Sequence, residues 1–273
     1  MVTLPSIHLG ALQVRRLICG SNAISGFSHM SAERSQAMLD YFTVANIKAF
    51  LASLEQGGID AIIMRVDNFV MRVLKEYWAE GGSIKWIAQT APEHRDPFKN
   101  ISQAQRAGAS AVFVHGGVVD RLFGQGESEA VRQQLAHIQK LKLPAGMAAH
   151  QPKHLLEAQQ AGFPVDFYMV CMYQVGGYQG NQGQEPEENF NDAHRPLALE
   201  ALRQLKRPCL AYKVMGAGRK RPEEGLRDVV AALRPTDGVI MGMFPEDAEN
   251  IVQKNVQLFC QMTAPPASGD RSP

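Results

Sequence analysis

Two histidines and a lysine stand where apolar runs give way to glycine or polar residues. His115 follows AVFV and precedes Gly116 and Gly117, His150 follows AGMAA, and Lys213 lies in LAYKVMG. Two neighbouring imidazoles could serve as acid and base near neutral pH, or hold a divalent metal between them. Each could equally cap backbone groups at a crowded strand end. A lysine aimed into an apolar interior needs an anion or a carboxylate partner, because an unpaired buried charge is costly. Lys213 could therefore bind a phosphate or carboxylate, act as a Schiff-base amine, or pair with Asp67. Asp67 precedes a helical pattern and is either a catalytic carboxylate or an N-cap.

These residues need strands to hold them. The run ASAVFVHGG (residues 109–117) reads as a buried strand, with Val112 and Val114 on one face and Ala111, Phe113 and His115 on the other. Apolar residues on both faces are what a parallel sheet covered by helices requires. Further strands are expected at 16–20, 60–64, 84–89, 145–149, 165–171, 209–214 and 238–241. Helix-spaced apolar residues fall at 32–41, 46–56, 68–80, 97–107, 129–142, 152–160, 194–206, 222–233 and 245–262. A short hairpin at 6–14, turning at Gly10 and Ala11, precedes them. Eight strand–helix units in alternation predict a (β/α)8 TIM barrel over residues 1–263, followed by a disordered tail at 264–273. In strand seven, Leu210 and Val214 are expected to face the helices and Lys213 the barrel interior.

In such a barrel the site lies at the carboxyl ends of the strands. Asn22 and His29 follow strand one, Arg65 strand two, and Gln89 ends strand three; Tyr173 and Gln174 follow strand six. All six are candidate substrate contacts. Loops after strands seven and eight often bind phosphate through backbone N–H groups. Gly216, Gly218 and Arg219 after strand seven, and Gly242 after strand eight, are the candidates here. The loop 173–192 is the longest irregular stretch and is expected to set specificity.

Composition narrows the partners. The chain has 273 residues, 45% of them hydrophobic, and a net charge of +1, so nothing points to nucleic acid. No apolar run reaches the roughly 18 residues of a membrane span. The start MVTLPSIHLG lacks the charged and apolar regions of a signal peptide. Four dispersed cysteines without a CxxC suit reduced residues in a cytoplasmic protein. An oligomer is left open.

Several segments together resemble the aldo-keto reductase superfamily. These are VRRLICGSNAISG after the hairpin, the strand-four histidine, AGMAAHQPKHLLEAQQAG with VDFYMV, and the pair KVMGAG and GMFPEDAEN. The resemblance implies a β/α barrel and an NADPH site around the last two segments. It places His115 at the family's histidine and Asp67 at its aspartate. The rest of the family's Asp-Tyr-Lys-His set is not retained. No tyrosine follows Asp67 at the family's spacing, Gln89 replaces the strand-three lysine, and Lys85 lies at the other end of that strand. Ala149 and His150 stand where the family has serine and asparagine to hold the nicotinamide amide. Phe244 replaces the basic residue that grips the adenosine phosphate. Strand seven also resembles a segment of class I aldolase barrels, whose lysine sits on strand six, where this chain has Met169, Val170 and Cys171.

The expectation is a barrel enzyme acting on a small phosphorylated or carboxylated carbonyl substrate by proton transfer, of lyase or isomerase type. A metal on His115 and His150 is one option. One alternative is an NADPH-dependent oxidoreductase in which Tyr212 or Tyr173 supplies the proton. Another is a ligand-binding barrel without catalysis.

Overall fold

In the computed structural model, residues 3–175 and 190–264 are described. Eight parallel strands close into a barrel: β3 (Leu17–Gly20), β4 (Ala61–Arg65), β5 (Lys85–Gln89), β6 (Ala111–Val114), β7 (Ala145–Ala149), β8 (Phe167–Cys171), β9 (Cys209–Tyr212) and β10 (Gly238–Gly242), with β10 returning to β3. The expected (β/α)8 TIM barrel and its N-terminal hairpin are both present.

The interior is filled by one residue set and the outer face by the other, as strand alternation requires. Ile18, Ile63, Ile87, Phe113, Met169, Leu210 and Ile240 point inward. Val112, Val114, Ala211 and Val214 pack outward against helices. Leu210 thus reverses its expected direction. Gly146 of β7 has no room for a side chain, since a Cβ there would lie 2.3 Å from the Phe167 ring and 2.6 Å from Phe113 Cβ.

The hairpin, β1 (Ser6–Leu9) and β2 (Leu12–Arg15), plugs the amino-terminal end of the barrel. Its Ile7, Leu9 and Val14 join the interior core. Lys85 Nζ donates to Gln13 O (2.8 Å) and pairs with Asp60 (2.7 Å), which also accepts from Arg15 N (2.8 Å). Lys85 therefore serves the floor, away from the mouth.

The helices are α1 (Ala32–Tyr41), α2 (Val44–Gln56), α3 (Asn68–Ala79), α4 (Pro97–Arg106), α5 (Gly116–Gly124), α6 (Ser128–Lys140), α7 (Pro152–Gln160), α8 (Arg195–Gln204), α9 (Pro222–Ala232) and α10 (Ile251–Thr263). Ser31 caps α1 as expected, its Oγ accepting from Arg34 N (3.1 Å). Three expectations are corrected. Strand four stops at Val114 and residues 116–124 form α5, which a Gly-Gly start concealed, glycine being a poor helix former. Strand seven stops at Tyr212. The last helix does not run from 245: a 3-10 turn at Pro245–Asp247 is separated from α10 by Asn250 in the left-handed region (φ 55°).

Among the described residues the cysteines are free, three of them buried, and no helix is long and apolar enough to cross a membrane. Most of loop 173–192 and all but the first residue of the 264–273 tail lie outside the described residues.

Candidate active site

The carboxyl ends of the strands open into a cavity of about 1170 Å³. Its wall includes Asn22, His29, Arg65, Gln89, His115, His150, Tyr212, Lys213, Gly218, Arg219 and Gly242. An outer lobe reaches Arg34, Phe244, Lys254 and Asn255.

His150 leaves β7 directly above Asp120 of α5. Asp120 Oδ2 accepts from the His150 backbone N (2.8 Å) and from its Nδ1 (2.9 Å). Oδ1 accepts from Gln151 N (3.1 Å) and from His154 Nδ1 (2.9 Å). The three side chains are nearly enclosed, with 9% of Asp120, 12% of His150 and 7% of His154 exposed. Burial alone would push the Asp120 carboxyl up, but the hydrogen bonds from His150 and His154 outweigh it and hold it at about 2. An ionised carboxylate can only accept, so the His150 proton sits on Nδ1 and Nε2 keeps the ring's basic lone pair.

His115 is arranged the other way. It caps α5, its Nδ1 accepting from Gly117 N (3.1 Å), while Thr90 Oγ1 accepts from its backbone N (3.0 Å). Burial first, then the nearby His150, Arg65 and Lys213, push its pKa down to about 3 against the pull of Asp120. The ring is neutral at pH 7 and its proton lies on Nε2. The two rings thus present opposite faces at this mouth, the His150 tautomer with its hydrogen on Nδ1 and the His115 tautomer with its hydrogen on Nε2. Between them Gly116 leaves a narrow space, for a Cβ there would lie 3.2 Å from both His150 Cε1 and Tyr212 Oη.

Lys213 reaches the mouth by a route different from the one expected. Tyr212 is the last strand residue, and Lys213 adopts a left-handed backbone (φ 56°) that turns it out of the outward position alternation would give it. Leu210 takes the inward place instead. His29 is also left-handed (φ 55°), and its Nε2 accepts from Lys213 Nζ (3.3 Å) and from Asn22 Nδ2 (3.0 Å). Arg219 Nη2 donates to His29 O (3.0 Å) and Nη1 to Gly216 O (3.0 Å). The Phe190 ring lies 4.3 Å from the Arg219 guanidinium and 5.3 Å from Lys213 Nζ. Two cations are thus gathered on one side of the mouth, beside a loop whose Gly216 (φ 56°) and Gly218 (φ 87°) permit its tight course. Left-handed backbone costs a non-glycine residue about 1–2 kcal/mol. Lys213→Gly should leave stability within about 1 kcal/mol of the parent while weakening inorganic phosphate binding at least tenfold. Thermal unfolding and phosphate titration check this, and unchanged phosphate affinity would show that Lys213 holds no anion.

Four candidates do not line the cavity. Asp67 caps α3, its Oδ1 accepting from Val70 N (2.8 Å), and its Oδ2 lies 3.2 Å from Arg65 Nε. Tyr173 is buried behind the loop after β9, accepting from Arg195 Nη1 (3.1 Å) and donating to Asp192 (3.3 Å). Gln174 donates its backbone N to His194 Nδ1 (3.2 Å), and Gly216 is buried, its Cα facing the Tyr173 hydroxyl and not the cavity. The metal expectation is not supported by the donor set, since no group of three or more His, Cys, Asp or Glu is placed for a metal among the described residues. One ring nitrogen of His115 and one of His150 are also already bound.

Sequence reasoning missed Asp120 and Glu93. His150 and His154 carried a signal for the former, since they lie four residues apart across the start of α7 and share the Asp120 carboxylate.

No family model and no curated protein matches this chain. Among solved structures, a Pseudomonas aeruginosa protein described as an aldo-keto reductase is similar at TM-score 0.61 and 18% identity, over 94% of this chain and 98% of that one. A second structure so described from the same organism gives 0.58 and 17%, over 93% and 94%. Orotidine 5'-monophosphate decarboxylase from Methanocaldococcus jannaschii gives 0.56 and 14%, over 92% and 100%. The chain shares its fold with barrel proteins of several activities.

Proposed function

We propose that this barrel is an enzyme that moves a proton beside the carbonyl of a small anionic substrate, in a lyase or isomerase reaction. The observation that carries the reading is the pairing of a base, His150 held by Asp120, with a neutral histidine, His115, at one barrel mouth. A carboxylate behind an imidazole fixes its tautomer and stabilises the imidazolium formed when it takes a proton. His150 Nε2 would remove the α-proton. The neutral His115 would donate its Nε2–H to the carbonyl oxygen as negative charge develops there, without having to surrender a proton beforehand. Lys213 and Arg219 would hold the substrate's phosphate or carboxylate.

Each role has a direct test. In D2O, a panel of small phosphorylated and carboxylated ketones and aldehydes is followed by proton NMR for exchange at the α-carbon. The parent should exchange at least one, and His150→Gln should lower that rate by about 10²–10⁴, the usual weight of a general base. Exchange unaffected by His150→Gln would end the assignment. A folded protein that binds panel members without exchanging any would favour a ligand-binding barrel.

The reductase alternative draws support from the cavity volume of about 1170 Å³, which is larger than a small substrate needs, and from Tyr212 at the cavity wall. Against it, His150 is committed to Asp120, and Phe244 is buried against Tyr41 and Phe42 with Arg34 over its ring. The residues present do not fit the cofactor in the family's manner. Saturable quenching of protein fluorescence by NADPH would turn the assignment toward an aldo-keto-reductase-like oxidoreductase.

A further inference from the structure

Arg65 has no task in the reaction just described, yet it lines the same cavity from the carboxyl end of β4, in register with Gln89 of β5. In the ring, β4 and β9 are separated by β3 and β10. Arg65 and Lys213 therefore rise from strands three places apart in the eight-strand ring, and His115 and His150 lie on the longer arc between them. The Arg65 charge is one of those that bear on the His115 ring.

The partners of Arg65 hold it without using it up. Its Nη2 pairs with Glu93, and its Nε lies 3.2 Å from Asp67 Oδ2. That Nε is buried and makes no hydrogen bond among the described residues. Glu93 is 51% exposed and lines the cavity beside Arg65, while Asp67, 35% exposed, lies outside it. Asp67 has a separate commitment as the cap of α3. A guanidinium carries five donors in a planar fork suited to a carboxylate. Here the buried Nε faces Asp67 and Nη2 faces Glu93, while no hydrogen bond engages Nη1 among the described residues.

We propose that Arg65 binds a second anionic group of the substrate, a carboxylate, so that the substrate is a short bis-anionic carbonyl compound stretched across the barrel mouth. One end lies on Lys213 and Arg219, the other on Arg65, and the carbonyl lies between them beside His115 and His150. This rests on the proton-transfer assignment, because it names the substrate of the same site. Two anchors on separate strands remove the rotation that one anchor permits, and hold the α-carbon against the base. A substrate with a single anion would be bound at one end and would swing.

The experiment is calorimetric titration of the full chain with inert acids of matched length. Malonate, succinate and glutarate are compared with propionate, butyrate and valerate, for the parent and for Arg65→Gln, Arg65→Lys and Lys213→Gln. At least one diacid should bind tenfold or more tightly than its matched monoacid. Arg65→Gln should bring that diacid to the monoacid's level and leave the monoacid unchanged. Arg65→Lys, which keeps the charge and loses the fork, should recover part of the difference. Equal affinities in the parent, or an Arg65→Gln effect that is the same on both acids, would overturn the proposal and leave Arg65 a structural ion pair. The Lys213→Gln arm reports on the reaction assignment separately, since it should weaken diacids and monoacids alike. Monoacid binding that ignores Lys213 overturns the anion site, while an Arg65-dependent diacid preference would still stand. Failure of every acid to bind overturns both.

Discussion

Stability measured by denaturant unfolding should fall steeply as pH drops from 6.5 toward 3, and His115→Asn should flatten most of that slope. His115 has its pKa pushed from the ordinary 6.5 to about 3 by burial and by the neighbouring His150, Arg65 and Lys213. In the unfolded chain the same ring takes a proton below pH 6.5. The unfolded state therefore binds more protons throughout this window, so stability rises with pH across it and is level above it. At 1.36 kcal/mol per unit, the difference reaches about 5 kcal/mol at its full extent. Asparagine keeps the cap on α5 while removing the titration. Parallel curves for parent and variant between pH 6.5 and 4 would show that His115 accepts a proton in place, and the neutral-donor role would go with it. A smaller loss, about 2 kcal/mol, should follow in both proteins between pH 4 and 2. There Asp120, depressed to about 2 from its ordinary 3.8, takes its proton.

Asp120→Ala should cost about 3–5 kcal/mol, lowering the thermal midpoint by on the order of 10 °C. The carboxylate accepts four hydrogen bonds, from the backbone N of His150 and Gln151 and from Nδ1 of His150 and His154. Its removal leaves buried donors unsatisfied, and each such group costs about 1–3 kcal/mol, with losses in one network not additive. A double-mutant cycle isolates the network. His154→Phe alone should destabilise the parent, because a large ring still packs on Phe123 but no longer satisfies Oδ1. In the Asp120→Ala background the same change should be close to neutral or favourable. Equal penalties in both backgrounds would mean that His154 acts by packing and that Asp120 serves His150 alone.

The positions of His115 and His150 were legible because apolar runs of four or five residues fix where barrel strands end, and the residue that follows must stand at the mouth. Asp120 was hidden for a local reason. The segment GGVVDRLFG starts with two glycines, weak in helix propensity, and only its packing over β7 makes it helical. Lys213 was placed in the cavity by an alternation that does not hold there. The strand ends one residue earlier, and a left-handed turn, which no propensity assigns to lysine, brings the side chain round. Tyr173 follows a strand as His115 does, yet its ring folds behind the loop after β9, where the buried Arg195 awaits it from α8. Alternation along a strand is a short-range rule. The residue beyond the strand obeys whatever long-range partner the fold provides.

The Asp120–His150 contact also falls at a seam in the chain. Counted from β3, the first four units of the barrel end with α6 and the second four begin with β7, so the aspartate belongs to one half-barrel and the histidine to the other. Neither half carries the acid–base pair alone. If the chain were divided between Lys140 and Ala145 and the two fragments produced separately, recovery of the pair would register correct reassociation of the halves. A chimera that drew its halves from two different parents would have to inherit α5 and β7 as one matched unit, although they lie on opposite sides of the natural midpoint.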